Sequence, residues 1–209
     1  MFLDLGRLVL SGQTITLRPL EAADAEALAV AAGESPEQYR YTPVPDGLAG
    51  MREYIRLAHG QLEEGQRYPF VIEWNGRIVG STSYFEYQPW TWPPGSALLR
   101  TDRPDVCEIG YTWLAASARR TGCNTEAKYL LLSHAFEKWQ VHRVSLRTDV
   151  RNERLRRAIE RLGAQFEGVR RADKPAADET VRDSAFYSIV VAEWPEVAAR
   201  LRKILASQT

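Results

Sequence analysis

Glu108 lies in the middle of an apolar run, VCEIGYTWL (106–114), which is rich in residues that favour a β-strand. Alternation of side chains would place Val106, Glu108, Gly110 and Thr112 on one face, and Cys107, Ile109, Tyr111 and Trp113 on the other. A carboxylate inside a central strand is costly unless it has a partner or a chemical task. Two interpretations of Glu108 therefore stay open, a general base and a Glu–Arg pair within the sheet.

A second candidate site follows that strand, in the stretch ARRTGCNTEAK (118–128), which leads into an apolar helix. Gly122 allows close approach of the backbone to a ligand, and Asn124 tolerates a left-handed conformation or caps a helix. A glycine turn at a helix start presents unpaired N–H groups to an anion, and Arg119 and Arg120 add charged donors. The turn predicts a phosphate or pyrophosphate site, although its spacing matches neither GxxxxGK[ST] nor GxGxxG. A purely structural turn is the alternative.

Strands and helices alternate around these two features. Predicted strands cover 14–20, 68–74, 77–87, 106–114, 142–150, 163–171 and 179–191, and predicted helices cover 21–32, 48–63, the segment from the turn to about 139, 152–162 and 193–206. Asn75-Gly76 predicts a tight hairpin turn. The chain of 209 residues is expected to be a single domain, 1–209, with a Trp- and Pro-rich insertion at 88–105.

Composition narrows the class of protein. The net charge is zero and the pI is about 6.9, which gives no argument for nucleic acid or an anionic membrane. The two cysteines fit a reducing compartment, residues 1–12 lack the features of a signal peptide, and no apolar run approaches membrane-spanning length. We therefore expect a cytoplasmic protein. The three histidines and two cysteines lack metal-ligand spacing, so no metal is expected.

A family resemblance extends these observations. Arg119-x-x-Gly122-x-Asn124 resembles the Q/R-x-x-G-x-G/A acyl-CoA loop of the GCN5-related N-acetyltransferases (GNAT). The segments TLRPLEAADAEAL, EIGYTWL, NTEAK, RTDVRNERLRRAIERLGAQFEGVRR and RDSAFYSIVVAEWPEV resemble the ribosomal-protein N-terminal acetyltransferase (RimJ/RimL-type) branch. The resemblance covers residues 13 to 206. It implies an α/β (α+β) fold, with a mixed central sheet that is splayed between two strands and flanked by helices.

The resemblance also implies acetyl-CoA as co-substrate. The amides expected to hold its pyrophosphate are those of Arg119, Arg120, Thr121, Gly122, Cys123, Asn124 and Thr125. The backbone of Trp113 and Leu114 would pair with the pantetheine, as an added strand does. Asn152 matches an asparagine that contacts the cofactor in the family, and its alternative role is the N-cap of the following helix.

The implied reaction is direct attack of a primary amine on the thioester, which needs a neutral amine, a polarised carbonyl and a proton for the thiolate. Glu108 would then be the base or the anchor for the amine. The usual acid positions hold Leu155 and Ile159, which cannot donate a proton. Tyr187 is a candidate acid, although the sequence does not place its hydroxyl.

The acetyl acceptor stays open in the sequence, because a fold does not determine a substrate. A protein or peptide N-terminal α-amine fits the resemblance, and so does a small-molecule amine such as an antibiotic or an aminoacyl conjugate. Trp90, Trp92 and Tyr111 are predicted to contact the acceptor, and a homodimer contact or simple packing is the alternative for the tryptophans. A degenerate CoA-binding or protein-interaction module without catalysis is the alternative function.

Overall fold

The fold is built on one eight-stranded sheet. In a computed structural model, which describes residues 8–207, the strand order is β1-β2-β3-β4-β5-β6-β8-β7. The strands are β1 (Leu10–Ser11), β2 (Ile15–Pro19), β3 (Arg67–Trp74), β4 (Arg77–Gln88), β5 (Val106–Leu114), β6 (Arg143–Asp149), β7 (Gln165–Pro175) and β8 (Val181–Val190). The helices are α1 (Ala25–Gly33), α2 (Gly47–Glu63), α3 (Cys123–Ser133), α4 (Glu153–Leu162) and α5 (Trp194–Ala206). The predicted fold class is confirmed.

Local sequence explains most of these boundaries. Asn75 and Gly76 both have positive φ angles and close the β3–β4 hairpin, as predicted. Helix α1 begins later than expected, because the residues from Ala22 to Asp24 form a 3-10 turn instead. The predicted helix to about residue 139 is α3 followed by a π-helical turn, His134–Trp139. The short strand β1 was not predicted.

The sheet opens between β5 and β6. These two strands are parallel and pair only through residues 106–108 of β5 and 143–145 of β6, whereas all other neighbours in the sheet are antiparallel. Both strands continue beyond this short ladder without pairing to each other. The edge of β5 that faces β6 is therefore unpaired from Ile109 onward, and this is the splayed sheet that the resemblance implied.

A β-bulge at Tyr111 corrects the predicted alternation along β5. Tyr111 has a φ of 51°, and two residues of β5 lie opposite Thr82 alone on β4. The Tyr111 ring packs edge-on against Phe85, which is in register with Glu108. Tyr111 therefore lies on the same face as Glu108, not on the opposite face. The extra residue in the bulge reverses the order of faces beyond it.

Helices cover both faces of the sheet. Helices α1 and α2 pack on one face of β3 and β4, and α3 packs on the other, where the Tyr84 hydroxyl donates to the Leu131 carbonyl at 2.5 Å. Residues 89–105 contain neither helix nor strand, so the predicted insertion connects β4 to β5 as irregular chain. No helix within residues 8–207 has the length and apolar character to cross a membrane. Residues 1–7 of the segment expected not to be a signal peptide lie outside the described residues.

Candidate functional site

Glu108 lies at the point where β5 and β6 separate. It is the last residue of β5 that pairs with β6, opposite Ser145, and only 2% of it is exposed. The Arg147 Nε atom is 3.0 Å from Glu108 Oε1, although this contact is not aligned as a hydrogen bond. A cavity of about 60 Å³, which has room for water, borders Glu108. The Glu–Arg pair considered from the sequence is therefore present and lies beside a cavity.

The surroundings of Glu108 change its protonation. Burial raises the pKa of its carboxyl group to about 7, because desolvation disfavours the charged form more than the nearby charges favour it. Arg147, Lys174 and Arg182 lower the pKa, and the Glu86 carboxylate raises it. A carboxylate that titrates near neutral pH can accept a proton and release it again. The pair with Arg147 is thus compatible with a role as base.

The predicted phosphate turn has the backbone that an anion site needs. Gly122 has a φ of 86° and Arg120 a φ of 64°, so the chain turns sharply before α3. The five amides of this turn that donate no hydrogen bond to any residue in the described part of the chain are those of Arg120, Thr121, Gly122, Asn124 and Thr125. The structure does fit a pyrophosphate at this helix N-terminus.

The Arg119 side chain, which was expected to donate to the phosphate, contacts the end of β5 instead. Its Nε donates to the Leu114 carbonyl at 3.2 Å, and its guanidinium carbon lies 4.9 Å from the centre of the Tyr39 ring. The Tyr39 hydroxyl donates to the same carbonyl at 2.9 Å. Burial lowers the pKa of Arg119 from its ordinary range. Arg119 and Tyr39 thus fix the end of β5, where Trp113 and Leu114 were predicted to contact pantetheine.

Helix α4 explains the departures at the expected acid positions. Asn152 Oδ1 accepts a hydrogen bond from the Leu155 amide at 3.1 Å, which confirms the N-cap, while its predicted cofactor contact stays a prediction. Leu155 packs against the core, and Ile159 is buried in it. Both positions therefore serve packing.

The Tyr187 hydroxyl is already engaged on the face of the sheet opposite Glu108. It accepts a hydrogen bond from Arg156 Nε at 3.0 Å and donates to the Glu160 carboxylate at 3.1 Å. Ser145 is in register with Glu108 on one side and with Ser188 on the other, so Ser188 projects from the same face as Glu108 and its neighbour Tyr187 from the opposite face. Burial, as the largest effect, raises the pKa of Tyr187. A role for Tyr187 as acid stays a prediction.

Comparison with known proteins adds to this geometry. The model of the acetyltransferase (GNAT) domain family matches residues 14–165. The chain belongs to the GNAT family. A protein of Bacillus subtilis (strain 168) named "Putative ribosomal N-acetyltransferase YdaF" is 30% identical over 196 residues, which span 86% of this chain and 93% of that protein. The chain is therefore a GNAT N-acetyltransferase, and YdaF supports the RimJ/RimL-type branch.

Solved GNAT structures share the fold. A GCN5-related N-acetyltransferase from Brucella melitensis has a TM-score of 0.79 at 22% identity, with 94% of this chain and 85% of that chain covered. Mycobacterium smegmatis RimJ in complex with CoA-disulfide has a TM-score of 0.74 at 23% identity, with 97% and 94% covered. At these identities the likeness establishes the GNAT fold and no more.

Trp90 and Trp92 form an aromatic cluster before β5 of this GNAT chain. Trp90 stacks on His142 with the ring centres 5.2 Å apart, and Trp92 approaches the same ring edge-on. The Asp105 carboxylate accepts hydrogen bonds from the Trp90 amide and the Trp92 indole. Neither tryptophan lines the cavity of about 360 Å³ that Tyr111 borders. Contact of Trp90 and Trp92 with the acceptor stays a prediction.

Two buried basic side chains in this GNAT domain escaped the sequence analysis. Lys128 on α3 is 5% exposed, and its Nζ donates to Thr112 Oγ1 at 2.6 Å. Arg67 at the start of β3 is 3% exposed and borders the same cavity as Tyr111. A signal for Lys128 exists, because it shares a helical stripe with Leu132 and Ala135. The sequence contains no such signal for Arg67, because its contacts come from other segments of the chain.

The cysteines have the character of buried thiols. Burial raises the pKa of Cys123 to about 12 and raises that of Cys107 further, so neither is a thiolate at neutral pH. Both are free and buried. Within residues 8–207, no group of three or more His, Cys, Asp or Glu side chains could hold a metal ion.

Proposed function

We propose that this GNAT protein transfers the acetyl group of acetyl-CoA directly to a primary amine. The observation that carries the proposal is the position of Glu108, a buried carboxylate at the root of the opening between β5 and β6. The predicted phosphate turn at the start of α3 follows β5, one of the two strands that border this opening, after a short 3-10 turn at Ala116–Ala118. One molecule of acetyl-CoA, extended from the turn into the opening, would bring its thioester towards Glu108.

Glu108 would take the proton of the attacking amine, directly or through water in the adjoining cavity. Its pKa of about 7 leaves a substantial fraction of the carboxylate ionised at neutral pH. The amine nitrogen forms a bond to the carbonyl carbon, and the bond from that carbon to sulfur breaks. Because Leu155 and Ile159 have no acidic proton to donate and the Tyr187 hydroxyl is engaged, we propose that water protonates the departing thiolate.

The acceptor that we favour is the α-amine of a protein or peptide N-terminus, because the name of YdaF describes a ribosomal N-acetyltransferase. A small-molecule amine such as an antibiotic or an aminoacyl conjugate is the second class of acceptor. Acetyl-CoA and the amine are the proposed partners. Cytoplasmic localisation is part of the proposal, and a homodimer is left to experiment.

A thiol-release assay tests this function. The protein, acetyl-CoA and a panel of N-terminal peptides, polyamines, aminoglycosides and aminoacyl conjugates are mixed, and free CoA thiol is followed with time. We expect amine-dependent release, and its strong reduction in the Glu108→Gln variant. Tight binding of CoA without thiol release for any amine would instead support the non-catalytic CoA-binding module.

A further inference from the structure

Arg67 is a buried cation whose partners are all neutral. Its Nε donates to Ser83 Oγ at 2.8 Å, its Nη2 to the Tyr54 hydroxyl at 2.5 Å, and its Nη1 to the Gln61 side chain at 3.4 Å. The guanidinium carbon lies 3.8 Å from the centre of the Tyr111 ring. None of the ion pairs formed within the described part of the chain includes Arg67.

This environment leaves a positive charge without a counter-ion. A guanidinium group keeps its positive charge in a protein interior. Hydroxyl groups and aromatic faces offset only part of the cost of removing such a charge from water. A buried guanidinium that lacks a carboxylate is therefore well suited to bind one that comes from outside.

The cavity beside Arg67 gives such a group access. It has a volume of about 360 Å³, which is within the usual range for a site that binds a small molecule or a short peptide segment. Among residues 8–207, the charged residues that line it are Arg67 and Glu86. Glu86 is paired, because its carboxylate lies 2.5 Å from Arg147 Nη2. Arg67 is thus the charge in the cavity wall that has no ionic partner.

The position of this cavity relates it to Glu108. Arg67 is in register with Phe85 on β4, and Phe85 is in register with Glu108 on β5. Residues in register on neighbouring strands project from the same face, and two strand spacings separate the outer pair of α-carbons by about 10 Å. Glu108 borders the smaller cavity, which shares Glu86 and Gln88 with the cavity beside Arg67. An acceptor that extends past Phe85 could therefore place its amine near Glu108 and a second group near Arg67.

We propose that Arg67 determines acceptor specificity, by binding a carboxylate on the same molecule that presents the amine. This inference rests on the proposed function, since it assumes that the amine is acetylated near Glu108. The carboxylate belongs either to an acidic side chain close to a peptide N-terminus or to the α-carboxylate of a free amino acid. Both sources present the same planar anion, which a guanidinium binds through two parallel hydrogen bonds.

Matched acceptors separate these two sources. One pair consists of peptides that begin with Asp or with Asn, and the other consists of an amino acid and its amide. The value of kcat/KM is expressed per free amine, so that differences in amine protonation cancel. We expect the carboxylate member of at least one pair to be preferred by roughly 10-fold or more, as is usual for a charge-assisted hydrogen bond. Equal rates within both pairs would overturn the proposal.

Variants of Arg67 connect the preference to this side chain. Arg67→Gln keeps polar atoms for Ser83 and Tyr54 and removes the charge, so the preference should fall to near one. Arg67→Lys keeps the charge and should retain part of the preference. Arg56→Gln removes an exposed arginine of α2 that pairs with Glu53 and should leave the preference unchanged. A folded Arg67→Gln protein with the wild-type preference would contradict the assignment, because a merely structural arginine would not alter a ratio between two acceptors.

Binding measurements keep this inference distinct from the proposed function. If no amine is acetylated, the transfer proposal fails, and the affinities of the same acidic and neutral peptides are measured by calorimetry. Tighter binding of the acidic peptide to the wild-type protein, lost in Arg67→Gln, would still support the carboxylate site. Equal affinities would reject it. If Arg67→Gln does not fold, the same acceptor ratios are measured in Arg67→Lys instead. The site is rejected if Arg67→Lys has the wild-type ratio and the wild-type protein binds both members of each pair equally.

Discussion

Arg67 and Glu108 lie in one cross-strand row of the sheet, on either side of Phe85. Phe85 lies between them in the row, and its ring comes so close to Gly110 that a Cβ atom at that glycine would lie 2.6 Å from it. The row thus places a cation and a carboxylate of raised pKa on the same face, separated by an aromatic ring. This arrangement underlies both the proposed chemistry and the proposed selectivity.

Removal of the Glu108 carboxylate should reduce transfer and change its dependence on pH. Glu108→Gln should lower kcat by roughly 10²–10⁴-fold, the usual loss for a general base, with little change in the Kd for acetyl-CoA. The base must be ionised, so the wild-type kcat/KM per free amine should rise with pH through about 7 and then level off. The variant should lack this rise.

The charged groups that face Glu108 set the position of this titration. Arg147, Lys174 and Arg182 hold the pKa down, and Glu86 raises it, so Glu86→Gln should shift the rise in kcat/KM to lower pH. Steady-state kinetics from pH 5 to 9 would measure both effects. A Glu108→Gln protein with activity within a few-fold of the wild type would make Glu108 a structural carboxylate.

Gly122 should be required for CoA binding. Its φ of 86° strains any other residue, and a larger side chain at the turn would crowd the backbone against the pyrophosphate. Gly122→Val should therefore weaken the Kd for CoA, measured by isothermal titration. Gly76→Val is the matched control, because Gly76 has a φ of 75° and open space around its Cβ position, far along the chain from this turn. Unchanged CoA affinity in a folded Gly122→Val protein would disprove the site.

Lys128 should make the free energy of unfolding rise with pH in the alkaline range. Burial lowers the pKa of Lys128 to about 7, whereas the unfolded chain keeps the proton up to its ordinary pKa of 10.5. Between these values the unfolded state binds more protons, so the free energy of unfolding contributed by this group rises with pH. From pH 7.5 to 9.5, the wild type should gain roughly 2 kcal/mol relative to Lys128→Met.

Urea unfolding of both proteins at the two pH values measures this difference. Lys203→Met, which removes a solvent-exposed lysine of α5, is the control and should show no such change. The comparison between variants cancels the titration of all other groups that keep their environment. If the wild type and Lys128→Met respond equally to pH, Lys128 is not held neutral in the folded protein.

The segment 88–105 should govern the choice of acceptor and not the binding of acetyl-CoA. Replacement of both Trp90 and Trp92 by Ala removes a large aromatic surface beside the start of β5 and should raise the acceptor KM. The Kd for acetyl-CoA should stay nearly unchanged. A dimer contact would instead lower the sedimentation mass of the double variant. If neither kinetics nor mass changes, the cluster serves only to pack the segment against His142.

Short-range sequence signals predicted much of the fold. The Asn75-Gly76 turn and the Asn152 cap depend on residues that are adjacent or three apart, and both are present as predicted. The bulge at Tyr111 could not be predicted, because it depends on the register between β4 and β5. The alternation rule consequently assigned Tyr111 to the wrong face.

For the candidate site, too, local sequence features could be predicted and properties that depend on tertiary contacts could not. Glu108 and the Gly122 turn stood out because a carboxylate in an apolar strand and a glycine before a helix are unusual locally. Arg67 acquires its environment from Tyr111, which is distant in sequence, and from Ser83 on the neighbouring strand. The pKa of Glu108 likewise depends on burial by several segments. Such properties exist only once the sheet has formed.

The central claim is direct transfer of an acetyl group from acetyl-CoA to a primary amine, and intact-mass spectrometry of a single turnover tests it most directly. The protein in excess is mixed with limiting acetyl-CoA and a peptide that has a free N-terminal amine. The masses of the peptide, the CoA and the protein are then measured in the same sample. We predict one acetyl group on the peptide amine for each CoA released, with no acetylated protein at any time and strong slowing in Glu108→Gln. Bound acetyl-CoA that stays intact beside unmodified acceptors from every class in the panel would contradict the claim.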